Sequence, residues 1–324
     1  MDPLRLAELL GPDASACRRG LTGEVGVALP PFVDHHVHLH LIDDRTLSDG
    51  GIAGVLDLGG DPVHLARPPR RAVPRRAYAG AFLTAAGGYP TGRSWAPAGT
   101  IREVTDPSSH PGVAGGAATA VDEQASFGAS VIKVSLNAEV GAVFDDETLA
   151  AVVTAARERG LPVVAHAQGE GMPRRALRAG VDALAHTPFT ERLGPRLVAS
   201  AVAAGQRWIS TLDIHRGRVQ ERANAIANLA AFSAAGGRVL YGTDLGNGDL
   251  PVGVNPRELA AMAEAGVSWP AIIASLTDPW PLAPGSGAVA TFVPGTPPES
   301  PGELAPWLAR ATVVLTEELV HDND

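Results

Sequence analysis

The chain has 324 residues, 45% hydrophobic and 19% charged, which suits one large or two smaller globular domains with a substantial core. Its formal net charge is −9, and it has no basic block and no basic–aromatic interleaving, so nucleic acid is not an expected partner. One cysteine, Cys17, excludes a disulfide framework within the chain; no window approaches the ~18–20 apolar residues of a membrane span, and no basic region followed by an apolar one opens the sequence, so a soluble cytoplasmic protein is expected.

In chain order, Leu4, Leu6, Leu9 and Leu10 mark a short amphipathic segment, and Gly/Pro-bounded pieces lead from it to a first buried strand at Leu29–Phe32. That strand continues into Val33–His40, VDHHVHLH. Alternation along a strand puts Asp34, His36, His38 and His40 on one face and His35, Val37 and Leu39 on the other. Two imidazoles two residues apart on one face can both reach a single metal ion; a His-rich surface strand is the plain alternative. Further apolar runs read as strands: Ile52–Leu58, Ala77–Ala86, Ser130–Leu136, Pro162–Ala167, Val181–His186, Arg207–Leu212 and Arg238–Thr243. Helical patterns at Asp145–Arg159, Met172–Ala179, Glu191–Ala204 and Arg218–Ala235 separate the later ones, each stopping before a glycine.

Strands alternating with helices predict a parallel sheet, and at this length a (β/α)8 TIM barrel over residues 32–280. An open doubly wound sheet is the competitor, with no GxGxxG after a first strand to support it. Two long loops, Gly87–Gly116 and Leu245–Pro256, follow the third and eighth strands, on the side where a barrel carries its active-site rim. Short strand-like pieces at Val289–Val293 and Thr312–Leu315 close the chain, and residues 1–31 and 281–324 are expected to pack together.

The Lys+Arg total is 26, yet Lys133 is the only lysine and lies in an apolar strand run. Arginine keeps its proton in a protein, whereas a buried lysine can lose it. The polar residues within the apolar runs fall toward their C-terminal ends: His36, His38, Lys133, His166, His186 and, after the last run, Asp244. Singly, each has a plain structural explanation, such as a hydrogen-bonded core histidine or an aspartate opening a turn. In a barrel all those ends meet at one mouth, which makes them a metal site.

Asp34-x-His36-x-His38, Lys133, His166, His186 and Asp244 resemble, in order and spacing, the signature of the amidohydrolase superfamily, and the resemblance runs from about Val27 to Trp280. Within the superfamily, LTAAGGYP and YGTDLGNG are similar to the imidazolonepropionase-like and prolidase-like branches. The resemblance implies that His36, His38 and Asp244 bind a first divalent metal ion and that His166 and His186 bind a second. It implies that Lys133 carries CO2 as a carbamate bridging both, and that the catalytic residues are Asp244, as general base and acid, with Lys133 and His186. Forming the carbamate needs a neutral amine, which desolvation favours. Zinc suits the mixed ligand set, with Mn, Fe or Co as substitutes. Candidate substrate contacts are Tyr89, Arg93 and Trp95 in the first long loop, His215 after strand seven, and Asn247 and Arg257 around the last loop. His40 reads as a rim residue.

The chain departs from the relatives in having Gly87-Gly88-Tyr89 where Gly-Gly-His is common, and in a β-sandwich reduced to remnants such as Val25–Ala28 and Ala288–Val293. The expected activity is metal-dependent hydrolysis of an amide or other C–N bond in a small molecule: a cyclic amide, N-acyl or dipeptide-like substrate. Ester, lactone or phosphotriester hydrolysis by the same site is the alternative. A deaminase fits less well, because Glu170 stands one position beyond the Glu that would follow His166. A non-catalytic metal-binding protein is the remaining reading, and self-association into a homo-oligomer is compatible with all of them.

Overall fold

A computed structural model describes residues 2–67, 73–282 and 287–321. The expected amphipathic segment is the helix Pro3–Leu10, opened by Asp2, whose side chain accepts the Leu4 amide; it buries Leu6 and Leu10 and leaves Leu4 exposed. Beyond it the N- and C-terminal segments build one five-stranded antiparallel sheet, in the order Thr312–Leu315, Val289–Pro294, Val25–Leu29, Ser15–Arg19, Leu319–His321. The two remnants read from the sequence are neighbours in it, with Phe292 opposite Ala28 and Val293 opposite Val27. Its own small core gathers Cys17, Ala28, Ala290, Phe292, Val314 and Leu319.

The rest of the chain is α/β with parallel strands. A seven-stranded sheet runs Arg238–Leu240, Arg207–Ile209, Ala183–Leu184, Val163–Gln168, Ile132–Asn137, Phe82–Thr84, Ile101–Glu103, and a three-stranded sheet runs Phe32–Val37, Ile52–Asp57, Arg75–Tyr78. All pairings within both are parallel. Backbone hydrogen bonds join the two sheets at both flanks. Ser130 N–H reaches Tyr78 O on one side. On the other, His35 N–H reaches Tyr241 O, Leu245 N–H reaches His36 O, and Val37 bridges Leu245 in parallel. Strands read as single apolar runs are buried on both faces, as Val163–Ala167 and Ile132–Asn137 are.

Asp145 caps the helix Asp146–Glu158 through the Thr148 amide, as its acidic start predicts. Met172–Ala179, Pro195–Ala203 and Val219–Ala234 fill the other predicted helical positions. Among the described residues, the short helices Pro62–Leu65 and Leu304–Leu308 and the longer ones Ala117–Ser126, Pro256–Glu264 and Trp269–Thr277 were not read from the sequence. The last two pack their apolar sides into the core around Leu259, Met262, Ile272 and Leu276. No helix among the described residues is long and apolar enough to cross a membrane.

Two expectations need correcting: the run Ala77–Ala86 is not one strand but contributes to two, Arg75–Tyr78 and Phe82–Thr84, in different sheets, and His40 is not on the face of His36. Strand alternation stops at Val37, and His38 opens a short 3-10 turn over Leu39–Leu41. His40 therefore does not share the face of His36; its Nε2 lies 3.1 Å from Trp95 O at the rim.

At the start of the helix Pro256–Glu264, Glu258 is fully buried, and its oxygens accept the amides of Leu212 and Asp213 at 2.7–2.9 Å. Burial pushes its carboxyl up to about 7, against those hydrogen bonds. Because the folded value lies above the unfolded 4.5, the stabilising contribution is complete below pH 4.5 and is lost as pH rises through 7. A shift of this size corresponds to about 3 kcal/mol. Urea denaturation across that window is expected to show the wild type losing stability relative to Glu258→Gln, which cannot ionise; parallel pH profiles would contradict the assignment.

Candidate active site and metal centre

All the sequence-predicted site residues but one line a cavity of about 550 Å³ at the C-terminal ends of the parallel strands: His36, His38, Lys133, His166, His186 and Asp244 at its floor, with Tyr89, Arg93, Trp95, His215 and Asn247 around them. Arg257 is not among its lining residues; it binds Asp213 instead, Nε to Oδ2 at 2.9 Å. The floor residues are buried, and the four imidazoles form a chain of ring contacts: His38–His36 at 5.3 Å, His36–His186 at 4.8 Å and His186–His166 at 4.9 Å.

His36 Nδ1 lies 2.8 Å from Ala185 O, and His38 Nδ1 lies 3.1 Å from Gly59 O. A carbonyl only accepts, so both Nδ1 atoms carry the hydrogen and both Nε2 lone pairs face outward. They face the same atom, Asp244 Oδ1, at 3.1 and 3.2 Å. Three acceptors meeting in a buried site require a cation among them, a proton or a metal ion. Their ligand atoms all lie within 4.8 Å of one another. Burial works against the Asp244 carboxylate, but His36, His38 and His186 hold it well below the usual range, and Asp244 in turn raises His38 despite that ring's burial.

The second pair is built differently. His186 Nδ1 lies 3.0 Å from Thr211 Oγ1, and its Nε2 lies 3.1 Å from His166 Nδ1. His166 Nε2 is held by Gln168 Oε1 at 3.1 Å. Thr211 has φ +43° and Asp244 φ +59°. A left-handed backbone is uncommon for any non-glycine residue and costly for a β-branched one, so the chain holds strain at the two positions that aim His186 and the carboxylate. Gly59 is needed for a different reason. A Cβ there would lie 2.1 Å from the Phe82 ring, displacing either that wall of the cavity or the carbonyl that orients His38.

Lys133 is buried at 1% exposure, and burial pulls its amine down to about 7 although the charges of Asp244 and Asp57 oppose this. Tyr89 stacks on His166 at 5.0 Å, and burial, with the nearby Asp244, pushes its phenol up to about 12. Arg93 lies over the Tyr89 ring at 5.9 Å, and Trp95 packs on Tyr89 at 5.9 Å. Asn247 Nδ2 donates to Asp244 Oδ2 at 2.7 Å, so the two oxygens of Asp244 have separate surroundings.

Sequence reading missed several residues that shape the site. Gln168 lies two positions after His166 in the same strand, so period-two alternation places it on the same face. Asn137, which closes its strand and donates to Gln168 at 3.0 Å, carries the same signal. Thr211 and Asp57, whose oxygens accept the amides of Leu39 and Gly59, act through tertiary contacts that no local pattern announces.

No protein-family model matches the sequence. No curated protein matches it. Among solved structures, a Xaa-Pro dipeptidase with methionine bound in its active site superposes with TM-score 0.68 at 20% identity, covering 91% of this chain and 86% of that one. A structure described as an amidohydrolase gives TM-score 0.68 at 19% identity over 91% and 86% of the two chains, and the A. niger ochratoxinase gives 0.69 at 19% over 89% and 81%. At these identities the likeness is one of fold alone: the chain shares the fold of these solved structures.

Thr211→Val, which removes the hydroxyl partner of His186 without relieving the backbone, is expected to weaken divalent-metal affinity roughly ten- to hundredfold, with Thr211→Ser close to wild type. Calorimetric titration of zinc into metal-stripped protein measures it, and equal affinities in all three proteins would deny Thr211 that role.

Proposed function

We propose that the protein is a metal-dependent hydrolase of an amide or other C–N bond, built on a closed (β/α)8 barrel. The observation that carries the proposal is the acceptor cluster: two imidazole lone pairs and a carboxylate oxygen converge on a point that needs a cation, beside a second histidine pair and a buried amine. His36, His38 and Asp244 would hold one divalent ion, His166 and His186 a second. A carbamate on Lys133 would supply a shared anionic ligand, and an amine brought down to about 7 is available in the neutral form that reacts with CO2. Ions bound there would supply Lewis acidity toward a carbonyl and would lower the pKa of a bound water.

The chain's own groups do the rest. Asp244 Oδ1 faces the imidazoles, while Oδ2 accepts from Asn247 Nδ2. Oδ2 is thus the atom that takes the proton of the attacking water and returns it to the leaving nitrogen. Tyr89, Trp95, Phe82 and Phe189 wall the cavity with aromatic surface that desolvates the bond to be cleaved. The structurally similar dipeptidase favours the C–N reading over ester chemistry.

Metal analysis of the pure protein is expected to find divalent ions, and zinc or manganese with bicarbonate is expected to restore amide hydrolysis to stripped protein. Asp244→Asn should lower kcat by roughly 10²–10⁴-fold. Less than one divalent ion per chain, with no activity regained across hydantoins, lactams, N-acyl amino acids and dipeptides, would defeat the proposal.

A further inference from the structure

His215 lies in the loop after the Arg207–Ile209 strand, with 2% of its side chain exposed. Its Nδ1 is 3.2 Å from Glu221 Oε2. Its Nε2 is buried and has no hydrogen-bond partner. Among the histidines lining the cavity it alone has such a nitrogen: both ring nitrogens of His36, His38, His166 and His186 face a polar partner. A buried polar atom without a partner is uncommon in a folded protein and calls for an explanation, which at a cavity wall a ligand group can supply.

The orphan nitrogen is not part of the metal cluster. Phe189 lies between, with its ring 4.3 Å from His215 and 6.0 Å from His186. Nor is the loop loose. Glu258 accepts the amides of Leu212 and Asp213. Asp213 in turn is held by Asn255 Nδ2 and Arg257 Nε, both at 2.9 Å. Arg218 Nη1 donates to the same Glu221 oxygen at 3.0 Å. These anchors set the imidazole before any ligand enters.

Glu221 as a carboxylate only accepts, so the ring hydrogen is on Nδ1 and Nε2 carries the lone pair. We infer that His215 is a specificity-determining acceptor, and that the substrate carries a hydrogen-bond donor, an N–H or O–H, one aromatic ring's width from the scissile carbonyl. Burial brings the imidazole down to about 4, which keeps the lone pair available at neutral pH. An acceptor cannot hold a substrate carbonyl or carboxylate, so this reverses the simplest expectation for a histidine beside a hydrolytic site. The inference rests on the hydrolase reading for the reaction but not for the binding.

The test uses hydroxyacyl anilides with the hydroxyl stepped along the acyl chain, each paired with its methyl ether and deoxy analogue. With metal-reconstituted protein, the best-placed hydroxyl compound is expected to exceed both counterparts by roughly ten- to hundredfold in kcat/KM, and His215→Phe to bring those ratios close to one. Nitrogen NMR of the wild-type ring supplies a reading that needs no variant: Nε2 unprotonated in the free protein and hydrogen-bonded in the complex. Ethers that match the alcohols at every position, a preference that survives His215→Phe, or a protonated Nε2 in the free protein would each overturn it. If no anilide is cleaved, calorimetric binding of the same pairs still decides for or against the donor preference, and the hydrolase reading stands or falls on its own metal analysis and substrate panel.

Discussion

The structure depends on the seam between its first parallel strand and the segment after its last. His35 N–H meets Tyr241 O, His38 N–H meets Leu245 O, and Asp34 receives both the amide and the hydroxyl of Thr243, at 3.1 and 2.6 Å. These bonds span 209 residues in the Asp34–Thr243 case, and they bring the two imidazoles of VDHHVHLH to the carboxylate of GTDLG. Asp34 is wholly buried and its carboxyl is pushed up to about 7, so the seam is made with an expensive group. It gives geometric definition: the first strand and the segment after the last one are locked together immediately before their functional side chains.

Strain and buried charge concentrate around the cavity. Thr211 and Asp244 are the only non-glycine residues with positive φ among those described, and each orients a group at the floor. Glu258, Asp213 and Asn255 join the loops after the last two strands into one buried polar network. A core of ordinary apolar packing, with Trp208 stacked on Phe232 at 3.9 Å, backs this layer and supplies the stability it draws on.

Much of this was legible in the sequence because it is written locally. Apolar runs bounded by glycine and helical spacing located the strands and helices, and polar residues at the ends of apolar runs marked the cavity floor. What local pattern does not encode was missed. The strand Ser15–Arg19 reads SACRR, without clear alternation, and becomes a strand by pairing with Val25–Leu29 on one edge and Leu319–His321 on the other. The helix Ala117–Ser126 follows a Gly/Pro-rich stretch that masks its start. His40 was placed on a shared face because alternation was carried past the residue where the strand ends. Thr211 and Glu258 matter through contacts with distant segments, and Glu258 seen alone is an ordinary helix residue.

The solitary lysine has a practical side. Lys133 is the one side-chain amine in the chain and is 1% exposed, at the bottom of the cavity. Acylating reagents that decorate most proteins at many surface positions have a single interior target here, apart from any terminal amino group. Labelling of that target therefore reports access to the cavity floor, and the rest of the surface stays chemically silent to such reagents while the fold persists.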